Sequence, residues 1–175
     1  SRGLGDVYKR QYTYSSYGSF SRPKTIAQTE QRAGEAAYSF TTDHNYDTKG
    51  QLIQSKKFSG DANYEMTNNI GYDRAGNVIA NSLTAYRLAP SQPGNQGKET
   101  RSTSYTYDGD LKFFKSMTDP LGYTTLSQID AKFGYPTKTT APNGLSISFQ
   151  YDANTKIPSI TTYADGITKT STISW

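Results

Sequence analysis

Residues 145–151 alternate strictly between apolar and polar side chains. Leu145, Ile147, Phe149 and Tyr151 fall on one side, and Ser146, Ser148 and Gln150 on the other. A period of two is that of a β-strand whose faces differ in polarity. One repeat earlier the same column reads Tyr123, Thr125, Ser127, Ile129, and one repeat later Ile167, Lys169, Ser171, Ile173. The column is only partly apolar, which predicts a face against a wide or wet space rather than a tight sandwich core. Strands of roughly seven residues at about 3.3 Å each would be about 23 Å long.

The register extends over residues 105–175. Asp108, Asp130 and Asp152 recur at one constant interval, as do Gly122, Gly144 and Gly166; Pro120 with Pro142, and Pro136 with Pro158, keep the same phase. Each unit carries two turn signals. The first is clearest upstream, where Tyr46-Asp47-Thr48-Lys49-Gly50 and Tyr72-Asp73-Arg74-Ala75-Gly76 both read Y-D-x-x-G. Aspartate opening a turn accepts backbone N–H bonds, and glycine at the fourth place tolerates the left-handed conformation that closes it. The second signal is Asp119-Pro120-Leu121-Gly122, then Ala141-Pro142-Asn143-Gly144, then Tyr163-Ala164-Asp165-Gly166. Proline presets φ, and Asn-Gly or Asp-Gly is a strong hairpin signal. Two turns per unit imply two strands per unit.

Three segments are expected. Residues 105–175 form regular 22-residue repeats. Residues 12–104 form less regular ones, with a weak copy at Tyr12 to Gly18, a loop or polar strand over Ile26–Ala37 and a loop near 87–99. Residues 1–11 match nothing later and are set apart as a non-native or disordered leader, resembling mistranslated sequencing adapter. The chain begins at Ser1 and runs through Thr168 to Trp175 as a strand in mid-stride, so both ends are expected to be cut.

Composition adds to this picture. Hydrophobic residues make up 33% of the 175, below the roughly 45–50% of an ordinary globular domain, yet 15 Tyr and 7 Phe raise the aromatic share to 13%. A disordered chain would be poor in aromatics. Tyrosine and threonine favour extended backbone, and a tyrosine buries its ring while its hydroxyl stays wet. A thin all-β architecture with a modest core is expected. The net charge is +4, but the basic residues are scattered, no run exceeding the two residues of Lys56-Lys57, so nucleic-acid binding has no support. With no Cys there are no disulfides, thiolate metal sites or cysteine nucleophile. No stretch approaches the roughly 18 apolar residues of a membrane helix.

Candidate chemistry is sparse. His44 is the single histidine, in Asp43-His44-Asn45-Tyr46, with no Cys or second His to join it. The aspartates recur in every unit, which suits a turn residue; a catalytic carboxylate pair need occur only once. A polar cleft would require Asp43, His44 and Asp61 to converge. Calcium could be held where Asp and Asn of successive turns meet, although no EF-hand loop is present. No catalytic residue, metal ligand or cofactor site is assigned.

The Y-D-x-x-G core, followed later in the same unit by x-P-x-G or x-D-G, as Asp108 is by Gly122, resembles the YD-repeat family, also called RHS repeats. The matching positions are Tyr46, Asp47 and Gly50; Tyr72, Asp73 and Gly76; Tyr107 and Asp108; Tyr151 and Asp152; and, at the second turn, Asp119, Pro120 and Gly122, Asn143 and Gly144, and Asp165 and Gly166. Asp130 lacks the preceding Tyr, Gly109 and Asp110 interrupt the turn after Asp108, and no Gly follows Asp152 within its turn. The resemblance implies tandem antiparallel β-hairpins forming a curved sheet, a fragment of a spiral β-shell like those of bacterial toxin complexes and polymorphic RHS toxins. It further implies a non-catalytic segment of a large secreted or cell-surface bacterial protein that encloses or displays a toxin or other effector. Its partners would be neighbouring repeats of the parent chain and the enclosed segment. The Tyr-rich faces leave open an extracellular glycan-binding or adhesive module, which exposed rings of Tyr72, Tyr107 and Tyr151 would favour. A lone hairpin is marginal and stacked ones share a ladder of hydrogen bonds. This piece alone is therefore expected to melt at lower urea than a longer stretch of the same array, and equal, high stability of the short piece would contradict that.

Overall fold

The computed structural model describes residues 7–17, 20–61, 63–86 and 97–171. The fold is all-β and antiparallel. The first seven strands are β1 (Val7–Tyr17), β2 (Phe20–Gln31), β3 (Tyr38–Tyr46), β4 (Leu52–Lys57), β5 (Met66–Tyr72), β6 (Val78–Tyr86) and β7 (Lys98–Tyr107). They are followed by β8 (Phe114–Thr118), β9 (Thr124–Ile129), β10 (Pro136–Thr140), β11 (Ser146–Tyr151), β12 (Pro158–Thr162) and β13 (Thr168–Thr170). Strand order in the sheet is chain order, as expected of successive hairpins.

The chain divides into two compact units, Ser1–Gly71 with Ala80–Ser102, and Tyr72–Ile79 with Thr103–Trp175. In neither does an apolar side chain count as buried among the described residues; the most enclosed polar side chain is that of Ser116. Each unit instead sorts its side chains by face. In the first, Asn45 Nδ2 donates to Gln54 Oε1 (3.1 Å) and Gln54 Nε2 to Asn69 Oδ1 (2.8 Å), an amide ladder across β3, β4 and β5. Thr25 Oγ1 donates to Asp43 Oδ1 at 2.7 Å, and the Thr29 and Ser39 hydroxyls meet at 2.8 Å on the same side. The alternate positions of β3 carry Tyr38 and Phe40, whose rings adjoin each other and Phe58 at 5.8 and 4.9 Å. In the second unit, hydroxyl pairs Thr106–Ser116 (2.6 Å) and Thr118–Thr124 (2.9 Å) lie on one face. Tyr105 and Tyr107 alternate with them and flank Phe114.

Two stretches continue into strands, and one expectation, the strand length, is corrected. Val7 to Gln11, set apart as a leader, are the first half of β1 and pair with Gln31 to Ala27 of β2; a run of VYKRQY has the extended propensity to do so once β2 offers a ladder. Lys98 and Glu99, assigned to a loop, open β7; the rest of that segment to Gln96 lies outside the described residues, as do Gly18 and Ile173 to Trp175. Strands β8 to β12 have five or six residues rather than seven, because each reversal takes up five or six residues of its own.

The reversals of the regular region open at Asp108, Asp119, Asp130, Ala141, Asp152 and Tyr163, an even 11-residue spacing, and alternate between two designs. In the five-residue design the first N–H donates to the fifth carbonyl, and the fourth N–H returns to the first. Asp119–Tyr123, Ala141–Leu145 and Tyr163–Ile167 have it, as do Asp47–Gln51 and Asp73–Asn77 upstream. Its fourth residue is always glycine, with φ between 78° and 92° (Gly50, Gly76, Gly122, Gly144, Gly166), as a turn closing on a left-handed residue requires. The six-residue design spans Asp108–Phe113, Asp130–Tyr135 and Asp152–Ile157. Here the left-handed residue is Leu111 (φ 58°), Gly134 (75°) or Lys156 (59°), which is why these reversals do not read as Y-D-x-x-G. Relieving left-handed strain at a non-glycine recovers about 1–2 kcal/mol, while the looser unfolded chain costs about 0.4–1 kcal/mol. Leu111→Gly is therefore expected to raise the unfolding free energy by about 0.5 kcal/mol, and a urea melt showing a loss would mean that the leucine side chain outweighs its backbone.

Candidate functional site

Every aspartate that opens a reversal uses one carboxylate oxygen on the backbone of that same turn. Asp47 Oδ1 accepts from the N–H of Lys49 and Gln51 (2.9 and 2.8 Å), and Asp73 Oδ1 from Ala75 and Asn77 (2.8 and 2.9 Å). Asp119 does the same with Leu121 and Tyr123 (both 2.9 Å), beside Pro120 at the second place of the turn. In the six-residue reversals the acceptors are Asp108, for Lys112 and Phe113 (2.7 and 3.1 Å), Asp130, for Lys132 and Phe133 (2.9 and 2.8 Å), and Asp152, for Asn154 and Thr155 (2.9 and 2.7 Å). Where the first residue is Ala141 or Tyr163, the acceptor moves two places on: Asn143 Oδ1 takes the N–H of Leu145 (3.1 Å) and Asp165 Oδ1 that of Ile167 (2.9 Å), each just before the glycine, Gly144 or Gly166. The recurrence of Asp and Asn has a local cause: a turn strands N–H groups that a short side-chain acceptor satisfies.

The bonds lower several of these carboxyls. The Phe113 N–H, then that of Lys112, holds Asp108 below its ordinary value. At Asp152 the N–H groups of Thr155 and Asn154 act first, then the Thr155 hydroxyl. At Asp73 burial is the largest single influence and opposes the shift, but the Asn77 side chain and the N–H groups of Asn77, Ala75 and Gly76 together prevail.

The tyrosine before the aspartate has a second task. Tyr46 Oη donates to the carbonyl of Pro23 (2.9 Å), Tyr107 Oη to that of Val78 (3.2 Å) and Tyr151 Oη to that of Pro136 (2.8 Å). Val78 and Pro136 open the strands just before those carrying the tyrosines. Burial, then the neighbouring Tyr135, pushes the Tyr151 hydroxyl up from its ordinary value. The rings of Tyr72, Tyr107 and Tyr151 are half-buried, so they do not form an exposed row. In the Asp130 unit Ile129 takes the tyrosine's place and has no hydroxyl to donate.

A β-bulge accompanies these turns. Thr106 faces Ser116 while Tyr107 faces Phe114, leaving Lys115 unopposed; Thr137, Ser159 and Ile53 are left over in the same way beside Ile129, Tyr151 and Tyr46. Pro136 and Pro158 stand at the first position of the bulged strand, where a missing N–H costs the ladder least. Turns that are not consecutive along the chain also touch. Asn77 Nδ2 donates both to Asp73 Oδ2 (2.9 Å) and to the Leu111 carbonyl (2.7 Å), and a Cβ on Gly134 would lie 2.6 Å from the Phe113 ring.

The groups that a reaction centre would need are not brought together. Asp43 is held by the Ser59 and Thr25 hydroxyls, which keep its carboxyl low, and Asp61 takes the N–H groups of Asn63 and Tyr64. A hollow of about 370 Å³ reaches Asp61 but is lined by neither Asp43 nor His44. His44 Nδ1 is screened from solvent without a hydrogen-bond partner, 6.4 Å separating its ring from that of Tyr46. Among the described residues no three His, Cys, Asp or Glu gather as metal ligands, and no helix is long and apolar enough to cross a membrane.

No family model and no curated protein matches the chain. Solved structures do. The Photorhabdus luminescens Tc holotoxin pore with mutated TccC3 aligns at TM-score 0.50 and 14% identity, over 94% of this chain and 9% of that one. TcdB2-TccC3 gives 0.50 and 14% over 94% and 10%, and TcdB2-TccC3 without its hypervariable C-terminal region 0.50 and 13% over 90% and 9%. The likeness is one of fold. This chain spans about a tenth of the length of the chains it resembles.

Losing the Tyr151 hydroxyl leaves a half-buried carbonyl without its donor, so Tyr151→Phe is expected to cost about 1 kcal/mol in a urea melt. Because the carboxyls of Asp73, Asp108 and Asp152 are lowered in the fold, their contribution is complete above the ordinary aspartate value of 3.8 and is lost as pH falls through the lowered folded values. The urea midpoint should be level down to roughly pH 4 and drop below it. A midpoint that does not move in acid would remove these carboxylates from the account of stability.

Proposed function

We propose that this chain is a non-catalytic structural segment of a large secreted or cell-surface bacterial protein of the RHS/YD-repeat kind, part of a β-shell that encloses or displays a toxin or other effector segment. The observation that carries the reading is the absence of a buried apolar side chain among the described residues, alongside a sheet whose side-chain investment goes into turns, bulges and cross-strand ladders. A self-contained domain buries one face of its sheet against another layer; a wall separating two aqueous spaces need not. The likeness in fold to TcdB2-TccC3 supports the same reading. The segments proposed within the chain are regular repeats over 105–175 and irregular repeats before them. Neighbouring repeats of the parent chain are its first partners and the enclosed segment its second.

Limited proteolysis of the whole parent protein tests this. The enclosed segment is expected to survive protease at least ten times longer in the intact parent than after mild urea opens the sheet. Equal cleavage rates in both states would reject enclosure.

A further inference from the structure

Asn143 is the one asparagine of this chain followed by glycine, and it sits in the reversal between β10 and β11. The three five-residue reversals of the regular region put three different chemistries at that place: Leu121 before Gly122, Asn143 before Gly144 and Asp165 before Gly166. A leucine has no side-chain carbonyl, and an ionised carboxylate is a poor electrophile. A neutral amide beside glycine is open to attack at Cγ by the next backbone nitrogen, because no side chain shields that nitrogen. Asn143 and Gly144 are both exposed, and a Cβ on Gly144 would meet nothing within 4 Å.

The setting of this amide differs from that of the same place one repeat earlier. There, Asp119 Oδ1 takes the N–H groups of both Leu121 and Tyr123, each at 2.9 Å. Ala141 has no acceptor to offer, so the Leu145 N–H donates to Asn143 Oδ1 instead, at 3.1 Å. Negative charge gathers on that oxygen when Cγ is attacked, so the bond that steadies the turn also stabilises the tetrahedral intermediate. Before attacking, the Gly144 nitrogen must leave the Ala141 carbonyl, to which its N–H donates at 2.9 Å. A turn tied by one side-chain bond opens for this more readily than a turn tied by two.

We propose that the Ala141–Leu145 reversal is a self-modifying site at which Asn143 deamidates. The Gly144 nitrogen gives up its proton and bonds to Asn143 Cγ; the side-chain Cγ–N bond breaks, and the amide nitrogen departs with that proton as ammonia. Water then opens the five-membered imide. Cleaving the new Cγ–N bond gives aspartate, and cleaving the original peptide bond gives isoaspartate. Aspartate keeps the turn, since Asp165 in the same place accepts the Ile167 N–H at 2.9 Å, and it adds one negative charge to an exposed reversal. Isoaspartate lengthens the main chain by one carbon inside a reversal closed by the Ala141–Leu145 and Gly144–Ala141 bonds, which loosens the pairing of β10 with β11. The inference does not rest on the shell reading, and either can fail without the other.

The test holds the chain at neutral pH and follows its peptides by mass spectrometry, with electron-transfer fragmentation to separate aspartate from isoaspartate. Asn143 should convert about ten-fold or more faster than the exposed Asn45 and Asn154, whose next residues are Tyr46 and Thr155, and should give both products. Leu121→Asn, at a side chain 79% exposed, puts an amide before Gly122 while Asp119 still holds both N–H groups. That amide should convert about ten-fold more slowly than Asn143 in the same molecule. Asp119→Ala combined with Leu121→Asn restores the arrangement of the Ala141 turn and should bring the rate up to that of Asn143. Asn143→Asp should keep the parent's urea midpoint. The proposal is overturned if Asn143 converts no faster than Asn45 and Asn154, or if Leu121→Asn alone converts as fast as Asn143. It is equally overturned if the double variant stays slow or if Asn143→Asp melts at lower urea than the parent.

Discussion

A reversal strands backbone N–H groups that no neighbouring strand can reach, and in this chain a single carboxylate or amide oxygen collects them. Other features depend on that interaction. With no apolar side chain buried among the described residues, cohesion falls to the main-chain ladder and the side-chain pairs along it. A ladder is only as long as its reversals are tight. The oxygen need not come from one fixed position: Asp119 serves from the first place of its turn, Asn143 and Asp165 from the third. What is maintained is an acceptor at the turn.

Tyrosine, bulge and proline form a second device at alternate reversals. The bulge breaks the pairing by one residue, Lys115, Thr137 or Ser159, and adds local twist. Proline at 136 and 158 sits where the disturbed ladder needs no donor. Tyr107 and Tyr151 then bind a carbonyl at the start of the preceding strand, tying the disturbed end back to the sheet. Thr137 and Ser159 add a weaker tie, each donating its hydroxyl to the carbonyl of Gln128 or Gln150 across the bulge (3.2 and 3.3 Å).

Much of the fold could be read from the chain because its signals are local. Period-two alternation at 145–151 and glycines in phase at 122, 144 and 166 specify strands and reversals without any distant partner. The six-residue reversals were harder to read. Leu111 and Lys156 hold left-handed backbone with side chains that normally avoid it, so no glycine announces the turn; the even interval between reversals was the available signal. The tyrosine hydroxyl bonds could not be read at all, since their acceptors lie 23, 29 and 15 residues away. Nor could the strand over Val7 to Gln11, whose extended state is decided by pairing with β2.

The 11-residue interval bears on how such a chain can change its length. Adding or removing a single interval reverses the direction of every later strand and exchanges the two edges of the sheet, whereas a whole repeat restores both. Growth and loss by duplication are thereby quantised in pairs of strands, and an odd number of hairpin halves would deliver whatever follows to the opposite rim.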